Sequence, residues 1–185
     1  MKWYSLFLMV ILTAVILAAG CTDEAPQGPP GPAPPADTVR PGQVLQLTSD
    51  VTGDGQLGGN LVSGTIDTIT FTVGLVPGAK PVNMENVTII YADAVRTETL
   101  VPVQGFRGDP PDGSWGILNV IHEVGNPNNR LEDNEQFVIR VNPRAPLVPR
   151  QLMTISVKAP TGTPLTFRRV SPPTIVEFNN SLMPV

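Results

Sequence analysis

The sequence predicts an all-β body folded as a single β-sandwich, and three observations lead there. From residue 42 onward apolar residues recur with period two. Turn-forming Pro, Gly, Asn and Asp separate these runs at short, regular spacing. No 3.6-residue periodicity follows the N-terminal apolar run, and 21 Pro and 17 Gly cut the chain into segments too brief for long helices. About seven or eight short strands suit two packed antiparallel sheets. A chain of 185 residues has room for one such domain and short appendages.

The N-terminus reads as an address. Lys2 precedes an apolar run from Leu6 to Ala19 that only Thr13 interrupts, and the run ends Leu17-Ala18-Ala19-Gly20-Cys21. A basic start, an apolar stretch and small residues before a cut point are the parts of an export signal. Leu-Ala-Ala-Gly-Cys resembles a lipobox, which makes the Cys21 thiol the expected acceptor of lipid. Counting Trp3 and Tyr4, the run is also about the 20 residues an uncleaved helix needs to span a bilayer. Residues 1–20 are therefore a signal peptide or membrane anchor, and both readings place the chain at the cell surface, membrane-anchored and extracellular. Residues 21–41 form a linker, with seven prolines among the sixteen residues from Pro26 to Pro41. Such a stretch favours extended polyproline backbone and acts as a stalk.

The predicted sandwich occupies 42–185. Ile69, Phe71 and Val73 alternate with threonines; Val87, Ile89 and Tyr91 repeat the pattern. Thr97, Thr99, Val101 and Val103 continue it less cleanly. Trp115, Ile117, Asn119 and Ile121 are expected on one face of a strand that is apolar on both sides, as a central strand would be. Phe137, Ile139 and Val141 follow, then Met153, Ile155 and Val157, then Leu165 and Phe167. Turns are expected at Pro77-Gly78, from Asn83 to Asn86, from Asp109 to Gly113, from Gly125 to Asn129, at Asn142-Pro143 and at Thr161-Gly162. After Pro172-Pro173, the segment from Thr174 to Val185 covers an edge or extends as a tail.

Charge excludes one class of partner. The formal net charge is −4, and only 15% of residues are charged. Nucleic-acid binding needs clustered Lys and Arg, so none is expected. With Cys21 the sole cysteine, no disulfide can form within the chain.

Three stretches of the body resemble the C-terminal, outer domain of archaellins (archaeal flagellins). Gly64 to Val82 combines a strand, a Pro-Gly loop and a Pro-Val lead into the next strand. Leu131 to Pro143 runs from a polar turn into a strand closed by Asn-Pro. Val157 to Pro173 pairs a Pro-Thr-Gly hairpin with a strand running into Pro-Pro. The resemblance covers roughly Gly64 to Pro173 and implies a solvent-facing β-sandwich. It departs at the N-terminus, where archaellins carry a pilin-like signal before a long assembling helix. Here no charged residue followed by Gly precedes the apolar run, and the Pro-rich stalk would break a continuing helix. The resemblance thus implies a structural or interaction protein of the archaeal cell surface, with archaellum or surface-layer proteins as expected partners. The alternative is an extracytoplasmic lipoprotein module that binds a sugar, ion or solute.

Candidate sites are few. Asp50, Thr52 and Asp54, with Gly55 sixth, match the opening of a calcium loop, although Leu61 stands where a bidentate carboxylate is expected. The same residues also suit a glycine-rich turn. Asp109 with Asp112, and Glu132 with Asp133, are acidic loop clusters that read as solvated turns. His122, the only histidine, sits beside Glu123, but strand neighbours point to opposite faces. No nucleophile motif accompanies it, so no catalysis and no obligatory cofactor are expected. Asn86-Val87-Thr88 and Asn179-Asn180-Ser181 fit the N-glycosylation pattern. Trp115 reads as core rather than as a sugar platform.

Overall fold

The computed structural model describes residues 38–57 and 64–185. Contacts divide the chain into Met1–Pro32 and Ala33–Val185, and every described residue lies in the second unit. The leader, Cys21 and most of the Pro-rich segment lie outside the described residues, as does Leu61.

The described body is built of strands: β1 (Leu45–Leu47), β2 (Thr52–Gln56), β3 (Thr65–Leu75), β4 (Val82–Asn83), β5 (Thr88–Asp93), β6 (Thr97–Arg107), β7 (Ser114–Ile121), β8 (Arg130–Leu131), β9 (Gln136–Asn142), β10 (Leu152–Lys158), β11 (Leu165–Val170), β12 (Asn180–Ser181) and β13 (Met183–Pro184). One 3-10 turn, Met84–Asn86, is the only helical stretch among the described residues. The main sheet path runs β12-β2-β3-β9-β7-β6-β5-β10-β11-β13, with β1 also on β3 and a separate β4–β8 ribbon.

This path folds into two layers because β6 serves both. Its first half pairs antiparallel with β5, Leu100 opposite Ile89, while Val101 and Pro102 pair parallel with Ser114 and Trp115 of β7. The layers face each other through period-two apolar sides. Ile69, Phe71 and Val73 of β3, Phe137, Ile139 and Val141 of β9, and Ile89 and Tyr91 of β5 are all buried. So are Met153, Ile155 and Val157 of β10 and Leu165 and Phe167 of β11. Phe71 and Phe167 meet across the layers edge to face, with ring centroids 5.1 Å apart. Each such side chain contributes about 1.5–3 kcal/mol by leaving water.

Turn chemistry acts as the sequence requires. Ala79 N donates to Val76 O at 2.9 Å around Pro77-Gly78, and Gly78 takes φ +81. Pro at the second position and a left-handed Gly at the third make this a type II turn. Asn83 caps the 3-10 turn by accepting from Glu85 N at 3.0 Å.

Two expectations fail in register. On β6, Leu100 is buried and Val101 is 57% exposed, so the inward face is not the one carrying Thr97, Thr99, Val101 and Val103. Pairing of Leu100 with the buried Ile89 decides that face. On β7, Trp115 and Ile117 are buried as expected, but the register against β9 shifts between Ile117 and Asn119. This bulge reverses the alternation: Val120, opposite Phe137, packs on the core, and Asn119 is exposed.

Candidate functional site

The calcium-loop reading of Asp50, Thr52 and Asp54 meets an extended backbone. Thr52 and Asp54 belong to β2, which pairs with β3, and Asp50 lies two residues before Thr52. The Asp54 carboxylate is also engaged. Its Oδ2 accepts from Arg140 at 3.1 Å, and its Oδ1 accepts from Asn179 N at 2.9 Å. Thr52 and Asp54 are thus fixed within β2, and the Asp54 carboxylate is committed to Arg140 and Asn179.

Arg140 organises this outer face. It projects from β9 between strands β3 and β7, donating from Nε to Thr70 Oγ1, from Nη1 to Asp109 and from Nη2 to Asp54, each at 3.1 Å. One guanidinium fork thus ties together β2, β3, β9 and the 108–113 loop, and through Asp54 the segment at Asn179. Planar, multidentate donation of this kind is what Arg supplies and Lys does not.

A cavity of about 360 Å³ is lined by Gln56, Asp67, Thr68, Asp112, Asn142 and Arg144 among others. Burial pushes the Asp67 carboxyl above its ordinary range; a hydrogen bond from Thr65 opposes this and the charge of Asp112 adds to it. Asp112 belongs to an acidic turn visible in the sequence, but Asp67 does not stand out there. Its only signal is a carboxylate at mid-strand in Thr65-Ile66-Asp67-Thr68, where a threonine would have continued the pattern.

The other carboxylates are spoken for by structure. The Asp93 side chain has no solvent exposure and accepts from the amides of Val95 (2.8 Å) and Arg96 (3.0 Å), from Arg96 Nη2 (2.8 Å) and from Tyr91 Oη (3.2 Å). Burial alone would raise its pKa; the two amides and the Arg96 charge outweigh that and hold it below the usual carboxylate range. Glu135 is buried and accepts from the amides of Val124 at 2.6 Å and Glu132 at 3.0 Å. His122 has φ +58 and lines a cavity of about 400 Å³ with Asp133 and Glu135, while Glu123 turns to Arg107 at 3.0 Å. Among the described residues, no group of three or more His, Cys, Asp and Glu could hold a metal ion.

The glycosylation candidates both reach solvent. Asn86 ends the 3-10 turn and is exposed; Asn179 is exposed with φ +56, while its neighbour Asn180 is buried. Trp115 is fully buried and packs on Phe106, with ring centroids 6.0 Å apart, so it offers no sugar platform. Cys21, the lipidation candidate, lies outside the described residues.

Comparison with known proteins follows the same body. The family model for archaeal-type flagellin matches residues 37–169. Probable flagellin 2 of Archaeoglobus fulgidus is 29% identical over 144 residues, which are 74% of this chain and 66% of that protein. The chain thus spans slightly less than two thirds of that relative's length. The crystal structure of archaeal flagellin FlaB1 from Methanocaldococcus jannaschii superposes with a TM-score of 0.57 at 18% identity, covering 75% of this chain and 95% of that one. The archaeal flagellum of Methanospirillum hungatei strain JF1 gives a TM-score of 0.52 at 14% identity, covering 74% and 70%. At these identities the two superpositions speak for a shared fold.

Proposed function

The chain belongs to the archaeal-type flagellin family, and from that membership we propose that it is a structural and interaction protein of the archaeal cell surface, associated with the archaellum or the cell envelope. The observation that carries this reading is the family match over 37–169, the stretch that folds into the two-layered body. The leader supports export, with the body held to the membrane through lipid on Cys21 or through an uncleaved helix. The exposure of Asn86 and Asn179 supports glycan attachment on the outward surface. In this role the protein works by contact rather than by catalysis. The commitment of Asp54, Asp93 and Glu135 to structural bonds supports that view.

Fractionation of native cells tests it. The chain should sediment with membranes and envelope, and cross-linking should join it to filament or surface-layer proteins. Recovery in the cytosol without such cross-links would overturn the reading. Intact mass of the native protein reads leader cleavage, lipid and glycans together.

A further inference from the structure

The last strands close the sheet path on itself. Asn180 and Ser181 of β12 pair with Gly53 and Thr52 of β2, and Met183 and Pro184 of β13 pair with Val170 and Arg169 of β11. Only Leu182 separates the two ladders, so one extended stretch lies along an edge of each layer. Leu182 is buried, and its amide donates to Val51 O at 3.0 Å. Asn180 is buried as well and donates from Nδ2 to Gly53 O at 3.0 Å. Upstream, Gly55 N donates to Glu177 O at 2.9 Å, and Ile175 is buried against the glycine positions 55 and 64. The gap between β2 and β11 is thus shaped for one extended strand, with apolar seats for Ile175 and Leu182 and an amide slot for Asn180.

A short proline link joins the occupant to the rest of the chain. Ser171 leads into Pro172-Pro173, which hold an extended backbone, and Pro173 and Thr174 are exposed. Each ladder is only two residues long, but lifting the segment also breaks the Gly55–Glu177, Leu182–Val51 and Asn179–Asp54 bonds and unseats Ile175 and Leu182. A released segment therefore regains these contacts only in an identical acceptor. Its outward side also leaves Val176, Phe178, Met183 and Val185 exposed to water.

We propose that the β2–β11 gap is a strand-acceptor site and that the 174–185 segment of a second copy of this chain occupies it, so that two copies hold each other by exchanging segments. A second copy carries the same residues and makes the same bonds in the same seats. Exchange of an identical element therefore keeps the docked contacts and adds mainly the cost of association. Once the segment lifts, β2 and β11 present unpaired amides and carbonyls, which another extended strand satisfies by β-addition. Bringing two copies together also offers cover for the four apolar side chains that the closed single chain leaves bare. The inference stands apart from the surface role, since it rests on this segment alone.

Cysteine pairing tests it in the full chain carrying Cys21→Ser. Ser181 and Thr52 are directly opposed across the β12–β2 ladder, within the range of Cα separations a disulfide spans. A Thr52→Cys chain and a Ser181→Cys chain are mixed, unfolded in urea, refolded together and oxidised. A disulfide-linked pair containing one of each, increasing with protein concentration, is the expected result. Linkage within the Thr52→Cys/Ser181→Cys double variant, but never between the single variants at any concentration, would overturn the proposal. A second measurement does not depend on those chains. A labelled peptide of residues 174–185 should bind saturably to the Leu182→Asp chain, whose own segment is undocked, and lack of binding would refute the acceptor site.

Discussion

Replacing Asp93 with Ala removes the centre of the β5–β6 turn. The side chain is out of contact with solvent and makes four hydrogen bonds, of 2.8, 3.0, 2.8 and 3.2 Å. Its loss strips two turn amides of their acceptor and leaves Arg96 without its anion. The Arg96 side chain is 31% exposed and keeps a bond from Nη2 to Ala145 O at 2.9 Å. Breaking a fully buried pair costs about 3–5 kcal/mol. Solvent can reach this guanidinium, so a loss of about 2–3 kcal/mol is expected. At about 2–4 °C per kcal/mol for a chain of this size, the melting temperature should fall by roughly 4–12 °C. Thermal unfolding followed by circular dichroism reads this directly. Asp93→Asn keeps an acceptor for the turn amides but removes the charge, and should lose about half as much.

The pH dependence gives the sharper check. The folded Asp93 carboxyl lies below its usual range, so its contribution is complete above the unfolded value of about 3.9. That contribution disappears as pH falls from there through the folded value. The stability gap between the original chain and Asp93→Asn should therefore hold from pH 7 to pH 5 and narrow in stronger acid. An Asn variant as stable as the original at pH 7, or a gap that persists unchanged in acid, would refute the electrostatic account of this turn.

Arg140→Ala should cost about 1–2 kcal/mol in urea unfolding, because its pairs are partly exposed but share one fork. Arg140→Lys should recover little of it, since one ammonium cannot serve Thr70, Asp54 and Asp109 in that geometry. Gly116→Ala places a Cβ 2.2 Å from the Gly108 carbonyl oxygen and forces the 103–108 stretch off β7. A loss of about 1–3 kcal/mol is expected, with a shift in tryptophan fluorescence as Phe106 parts from Trp115. Asp67→Asn should stabilise the protein at neutral pH, where the partly buried carboxylate is charged at a cost. That gain should vanish below about pH 3.9, where the unfolded and folded forms are both protonated; denaturant midpoints at pH 7 and pH 3 measure it.

Where one side of a strand is apolar and the other polar, the order of residues is enough to tell which side is buried. Ile69, Phe71 and Val73 can face only inward, and the same logic holds for β5, β9, β10 and β11. Turns built on Pro77-Gly78 and Asn83 are equally legible, because backbone torsion alone selects those residues. Where both sides are apolar, alternation loses its power. On β7 an Asn119 in phase with Trp115 reads as inward, and the bulge at Leu118 reverses that phase. On β6 the threonine-rich side is as suitable for burial as the side bearing Leu100, and the partner strand makes the choice. At the Asp50 loop the spacing matches a ligand pattern, but only the tertiary structure shows Thr52 and Asp54 paired with β3 through an irregular register at Asp54 and Gly55.

The candidate site is less legible than the fold. Asp54, Thr70, Asp109 and Arg140 come from four places in the chain, and no local pattern ties them. Asp67 and Asp112 likewise share a cavity only because the 108–113 loop folds back against the sheet.

The residue pattern by itself determined an all-β body, the inward faces of five strands and most of the turns, because these depend on period, side-chain polarity and backbone torsion within a few neighbours. The tertiary structure alone decided that β6 joins two layers, that a bulge reverses β7, that Arg140 gathers its partners and that residues 174–185 close the ring. Those outcomes depend on which distant segments compete for the same hydrogen-bonding edge, a contest whose result is set by the packing of the whole body.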